Sequence, residues 1–125
     1  MREWVFETSI KAMGVNKAYK VGKKGTGKDK QGMYKNPEYR SYQNHLRRKM
    51  RKSMTGVDIF EYPVKVMLLH YYSTKHKRDI DGPIKGILDC LNGIVLTDDI
   101  LIEDLHVRIT RGTGSNGIKI KVVEL

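Results

Sequence analysis

The sequence predicts a single small α+β domain, a mixed β-sheet of about four strands with two main helices in the order β-α-β-α-β-β. Three observations carry this. The 125 residues suit one core, because typical domains run to roughly 100–150 residues. Two stretches repeat their apolar residues every three or four positions, as amphipathic helices do. Several other stretches either alternate apolar with polar residues or run continuously apolar, as strands do.

Taken in order, Trp4, Phe6 and Ile10 alternate with Glu7 and Ser9, predicting a strand that opens the sheet. Residues 21–36 carry Lys23, Lys24, Lys28, Lys30 and Lys35 among four glycines and predict a mobile basic loop. Such a loop is either a solvated linker or a segment that orders on phosphates. Within it, G-K-K-G-T-G-K-D at 22–29 nearly matches a nucleotide-phosphate loop. Asp29 replaces the required hydroxyl, and no helix follows directly, so a nucleoside triphosphate site is not expected.

Tyr39, Tyr42, Leu46 and Met50 predict an amphipathic helix over 37–54, beginning after Asn36. Arg47, Arg48, Lys49, Arg51 and Lys52 crowd its last two turns. Cations there complement the helix dipole by about 0.3–1 kcal/mol each. Five exceed what capping requires, so Arg47, Arg48 and Lys52 are read as contacts to a DNA backbone. The run V-K-V-M-L-L-H-Y-Y, within 57–72, predicts the central, largely buried strand.

After it, Asp79-Ile80-Asp81 precedes Gly82-Pro83. Proline disfavours helix at the residue before it, so 79–81 is expected to be extended, with both carboxylates on one side and Ile80 toward the core. Ile84, Ile87, Leu88 and Leu91 give a second helix over 83–91, ended by Asn92-Gly93. Lys85, four residues beyond Asp81, projects over the acidic pair or pairs with Asp89 on the helix surface. A half-buried strand is predicted over 100–111 and another over 118–123, joined across Asn116-Gly117 as an antiparallel hairpin.

The charge is divided unevenly. Residues 1–55 hold 15 Lys+Arg against 4 Asp+Glu, a net +11; residues 56–125 hold 9 against 10, a net −1. The total of +10 points to a polyanionic partner. The acids of the second half gather at Asp79/Asp81 and Asp98/Asp99, which suits a metal site beside a binding surface; otherwise they only shape turns. Lys75, Lys77 and Arg78, leading into the first pair, join the expected DNA-facing set with Lys23, Lys24 and Lys28. Cys90 is the lone cysteine, which excludes an internal disulfide and a multi-cysteine zinc cage and fits a reducing cytoplasm. The N-terminus is broken by charges and is neither a signal peptide nor a membrane span. The four histidines lack metal-ligand spacing, and no serine sits in a nucleophile elbow.

R-D-I-D-x-x-x-K, then L-D-x-L-N-G and a D-D pair, all within 75–104, resemble the RusA family of Holliday junction resolvases. The resemblance implies a RusA-like fold, a metal-dependent endodeoxyribonuclease, Asp79, Asp81 and Asp99 as metal-binding carboxylates and Lys85 as the catalytic lysine. It also implies four-way junction DNA as the partner, paired cleavage in recombination and repair, and a homodimer, since two strands must be cut. One position departs: the family's Asn after the second Asp is Gly82 here. Carboxylate oxygens are hard ligands, which select Mg2+ or Mn2+. Asp98 is the weaker ligand candidate, because adjacent extended residues face opposite sides. One reading from another class stands beside the resolvase, a non-catalytic basic nucleic-acid-binding protein, together with a closer enzymatic alternative, a metal-dependent nuclease without junction preference.

Overall fold

The computed structural model describes residues 2–14, 19–21 and 33–125. Its strands are β1 (Glu3–Thr8), β2 (Tyr19–Val21), β3 (Met33–Lys35), β4 (Val64–Tyr71), β5 (Ile102–Thr110) and β6 (Gly117–Glu124); its helices are α1 (Pro37–Ser53) and α2 (Ile84–Leu91), with a 3-10 turn at Asp99–Leu101. β1, β6, β4 and β5 form a mixed four-stranded sheet in that order. The α+β class is as the sequence predicts. Outside the main sheet, β2 and β3 pair as a short antiparallel ribbon, with Lys20 opposite Tyr34. The expected mobile basic loop falls mainly between these strands, where residues 22–32, with Lys23, Lys24 and Lys28, lie outside the described residues.

The core follows the alternation of the strands. Val64, Val66, Leu68 and His70 of β4, with Ile118, Ile120 and Val122 of β6, are buried toward the helices. Trp4 and Phe6 extend that layer across β1, their rings stacked 5.3 Å apart. From α1, Tyr39, Tyr42, Gln43, Leu46 and Met50 meet the sheet; Ile87, Cys90 and Leu91 do so from α2. Asn36 caps α1 by accepting from the Glu38 amide at 2.8 Å, and Pro37 opens the first turn, where its missing N–H costs nothing. Asn92 and Gly93, with Gly93 at φ 77°, end α2. The helices touch closely at Gly86: a Cβ there would run into the Tyr39 hydroxyl, and Gln43 Nε2 donates to the Gly86 carbonyl at 3.1 Å.

The expected hairpin of the last two strands does not form. β5 runs parallel to β4, whereas β6 lies antiparallel on the other side of β4 and also pairs with β1. The connection between β5 and β6 crosses the end of β4 and is held there by its backbone. Gly112 N–H donates to Thr74 O at 2.9 Å, Thr113 N–H to Tyr72 O at 3.0 Å, and Ser73 N–H to Asn116 Oδ1 at 2.9 Å. The crossing puts apolar β4 in the interior of the sheet and leaves charged β5 at its edge.

Candidate active site

β4 and β5 are parallel neighbours, so their carboxyl ends open on the same side of the sheet. The chain leaving β4 runs through residues 75–79 without regular structure and bends at Ile80 and Asp81. The Ile84 amide then closes on Asp81 O at 3.2 Å, and Pro83, at φ −81°, starts α2. Ile80 does not turn into the core as expected; it is 41% exposed. The Gly82-Pro83 turn begins immediately after Asp81 and interrupts the strand-like alternation that would have buried it.

Asp79 and Asp81 nevertheless line one cleft, of about 920 Å³, together with Lys11, Tyr72, Lys77, Arg78 and Arg111. Neither carboxylate pairs with these cations or accepts a hydrogen bond among the described residues. Arg78 Cζ instead stacks 4.2 Å from the centre of the Tyr72 ring, and Arg111 donates to the Arg78 carbonyl at 2.6 Å. Tyr72 is itself fixed: its hydroxyl donates to Ala12 O at 3.2 Å and lies 3.3 Å from His70 Nδ1. Burial raises the Tyr72 pKa, and the positive charges of Arg78 and Arg111 partly offset that rise. The floor of the cleft is thus a rigid ring wall with cations around an unpaired acidic pair.

The other expected residues sit elsewhere. Asp99 is not among the residues that line this cleft; it lines a shallower depression with Leu88, Ile102, Glu103, Asp104 and Leu105. No group of three metal-capable side chains gathers among the described residues. Two carboxylates free of protein partners among the described residues fit a divalent ion whose remaining ligands are water and phosphate; the third expected ligand, Asp99, does not line this cleft. Asp98 has a local task, capping the 3-10 turn by accepting from the Ile100 amide at 3.0 Å. Lys85 is 75% exposed and lies 3.6 Å from Asp89, the surface pairing that the sequence offered as one option.

Arg48, Lys49, Arg51 and Lys52 are exposed on α1, and Arg47 is half-buried. None of the five is paired with a carboxylate among the described residues. Lys75 and Lys77 are exposed beside the cleft. Gly82 is not forced by space: a Cβ there would meet only ordinary contacts, Gly14 Cα at 3.6 Å and Asp79 O at 3.8 Å. Lys11, Tyr72 and Arg111 were not foreseen. Arg111 was detectable, because it directly follows the strand that parallels β4, but only once the pairing of β4 with β5 is known.

These features define a small basic α+β protein with an acidic pair set in a cationic cleft, a surface built for a polyanion. The family model described as Endodeoxyribonuclease RusA matches residues 14–123, and the chain belongs to that family of endodeoxyribonucleases, which act on branched DNA junctions. No individual curated protein matches the chain. Among the described residues no helix is long and apolar enough to cross a membrane.

Proposed function

We propose that the protein is a divalent-metal-dependent endodeoxyribonuclease that resolves four-way DNA junctions in recombination and repair. The observation that carries this reading is the unpaired Asp79/Asp81 couple in a cleft whose other charged lining residues are Lys11, Lys77, Arg78 and Arg111, in a chain matched by the RusA family over residues 14–123. Asp79 and Asp81 would hold Mg2+ or Mn2+ through carboxylate oxygens. When bound, such an ion lowers the pKa of a coordinated water and neutralises charge on the phosphate. The cleft's cations receive the backbone phosphates, and the wall of Tyr72 and Pro83 keeps their geometry fixed. Lys85, whose exposed pairing with Asp89 is worth about 0–1 kcal/mol, is readily released toward a phosphate and keeps the catalytic role implied by the family.

The working unit is a homodimer paired along β5. β5 is the outer strand of the sheet, with no partner on its free edge among the described residues, and such an edge invites another strand. A two-fold pairing runs the two β5 strands antiparallel, setting the amino end of one beside the carboxyl end of the other. Asp99 of the partner subunit, just before its β5, then comes to the cleft side of Arg111. This arrangement accounts for the separation of Asp99 from Asp79 and Asp81 within one chain.

Labelled four-way junction, duplex and single-stranded DNA, each with magnesium, manganese or chelator, test the reading. The expected result is metal-dependent paired nicking of the junction alone, abolished in Asp81→Asn while junction binding is retained or tightened. Retardation of the junction without any cutting would identify a binding protein instead.

A further inference from the structure

Arg111 is an exposed cleft cation with an anchored side chain. It follows β5 directly, and the next residue is pinned across the end of β4 by Gly112 N–H donating to Thr74 O at 2.9 Å. Gly112 has a φ of 70°, and a Cβ there would press on the Lys75 side chain at 2.8 Å. The turn below Arg111 therefore calls for glycine at 112 and is tied to β4 by that backbone hydrogen bond. Its guanidinium is held by one N–H donated to Arg78 O at 2.6 Å. Since arginine carries five donors, most remain available. Arg111 lines the cleft together with Tyr72, and its positive charge contributes to lowering the pKa of both His70 and Tyr72. No carboxylate among the described residues neutralises it. By contrast, Lys85 is absent from the lining of this cleft.

We infer that Arg111 is a substrate-contacting catalytic residue, which grips the non-bridging oxygens of the phosphodiester cut beside Asp79 and Asp81. The inference rests on the cleft being the cutting site proposed above. Hydrolysis forms one P–O bond from water and breaks the P–O bond to the leaving sugar oxygen. The water gives up a proton, and the leaving oxygen takes one from solvent. Negative charge grows on the phosphoryl oxygens as this happens, and a fixed planar fork meets two of them at once, which an ammonium on a flexible stem cannot do. Its anchor to Arg78 O lets Arg111 hold this position before DNA arrives, which is the condition for stabilising a transition state rather than merely binding a phosphate.

The test uses the full chain and saturating junction in single-turnover cleavage with magnesium, next to gel-shift binding without metal. Arg111→Gln retains a donor for Arg78 O but not the charge. It is expected to keep the wild-type melting temperature, to bind junction within about threefold, and to cut about 100-fold more slowly, the size of losing one oriented donor. Arg111→Lys is expected to fall between the two. Guanidinium ion added to Arg111→Ala should restore part of the rate and leave Asp81→Asn inactive. Cutting by Arg111→Gln within threefold of wild type overturns the inference. So does a drop in rate that merely follows a lowered melting temperature and that guanidinium does not relieve. A wild-type chain that cuts no branched DNA at all counts against the proposed function itself, a result separable from either of these.

Discussion

At the scale of single residues, the chemistry was legible wherever a local rule fixed the backbone. Pro83 bounded the start of α2 and held Asp79 and Asp81 within one short turn, so their common cleft could be read from five residues. Ile80 was misread for the same reason that the aspartates were not, because its burial depended on a strand that the turn cuts short. His70 carried no signal, being one polar residue in an apolar run. It is fully buried, and its Nε2 has no hydrogen-bond partner among the described residues. Burial holds its pKa below the ordinary value; the Ile80 backbone partly opposes this, and the Arg111 charge adds a smaller lowering. The folded state therefore takes up a proton less readily than the unfolded chain. Stability linked to His70 is complete above about pH 6.5, the unfolded value, and is lost as pH falls below it. Urea unfolding of wild type and His70→Gln across pH 7.5 to 5 should show wild type losing its advantage by at most about 1.4 kcal/mol per pH unit. Parallel curves would mean that His70 titrates alike in both states.

Among the elements, helices were more legible than strand pairing, because helical periodicity is local and pairing is not. Observed α1 and α2 lie within a residue of the predicted spans. The β5–β6 hairpin failed because an Asn-Gly turn reports only that the chain reverses, whereas the neighbour of each strand is decided by which strand most needs burial. On α1, Arg47, Arg48, Arg51 and Lys52 recur at helical spacing on the face away from Tyr42, Leu46 and Met50, which are buried. Trp4 Nε1, donating to Ser53 Oγ at 3.1 Å, ties this end of the helix to β1, so the cations ride on a fixed platform. Replacing Arg47, Arg48 and Lys52 together with alanine should weaken junction binding and flatten its log-log salt dependence by about 0.9 for each duplex phosphate no longer neutralised. Metal-dependent cleavage at saturating DNA should survive. An unchanged salt slope would remove α1 from the DNA interface.

For the whole molecule, the proposed homodimer would meet along the free edge of β5. If His106 sits on the two-fold axis, Asp104 falls opposite Arg108 of the partner subunit, and Leu105, itself 40% exposed, opposite Val107 of the partner subunit. Charge and apolar contacts are then both satisfied, at about 0.2–1 kcal/mol per cross-strand pair. Shifting the axis by one residue breaks the Asp104–Arg108 match. A directly opposed pair lies about 4.5–5.5 Å apart at Cα, within disulfide reach. His106→Cys, made with Cys90→Ala, should therefore oxidise to a covalent dimer that still cuts junctions. A dimer by sedimentation without this cross-link would move the interface elsewhere. The sheet order carries a different implication, for the timing of folding. β1 is joined to the sheet only through β6, so the first strand made must wait for the last, and its exposed Val5 and buried Trp4 and Phe6 have no sheet to join in the meantime. A ribosome that stalls before residue 117 releases a chain whose opening strand is unpaired. Quality control would thus meet such incomplete copies with the apolar face of that strand, Trp4 and Phe6, uncovered.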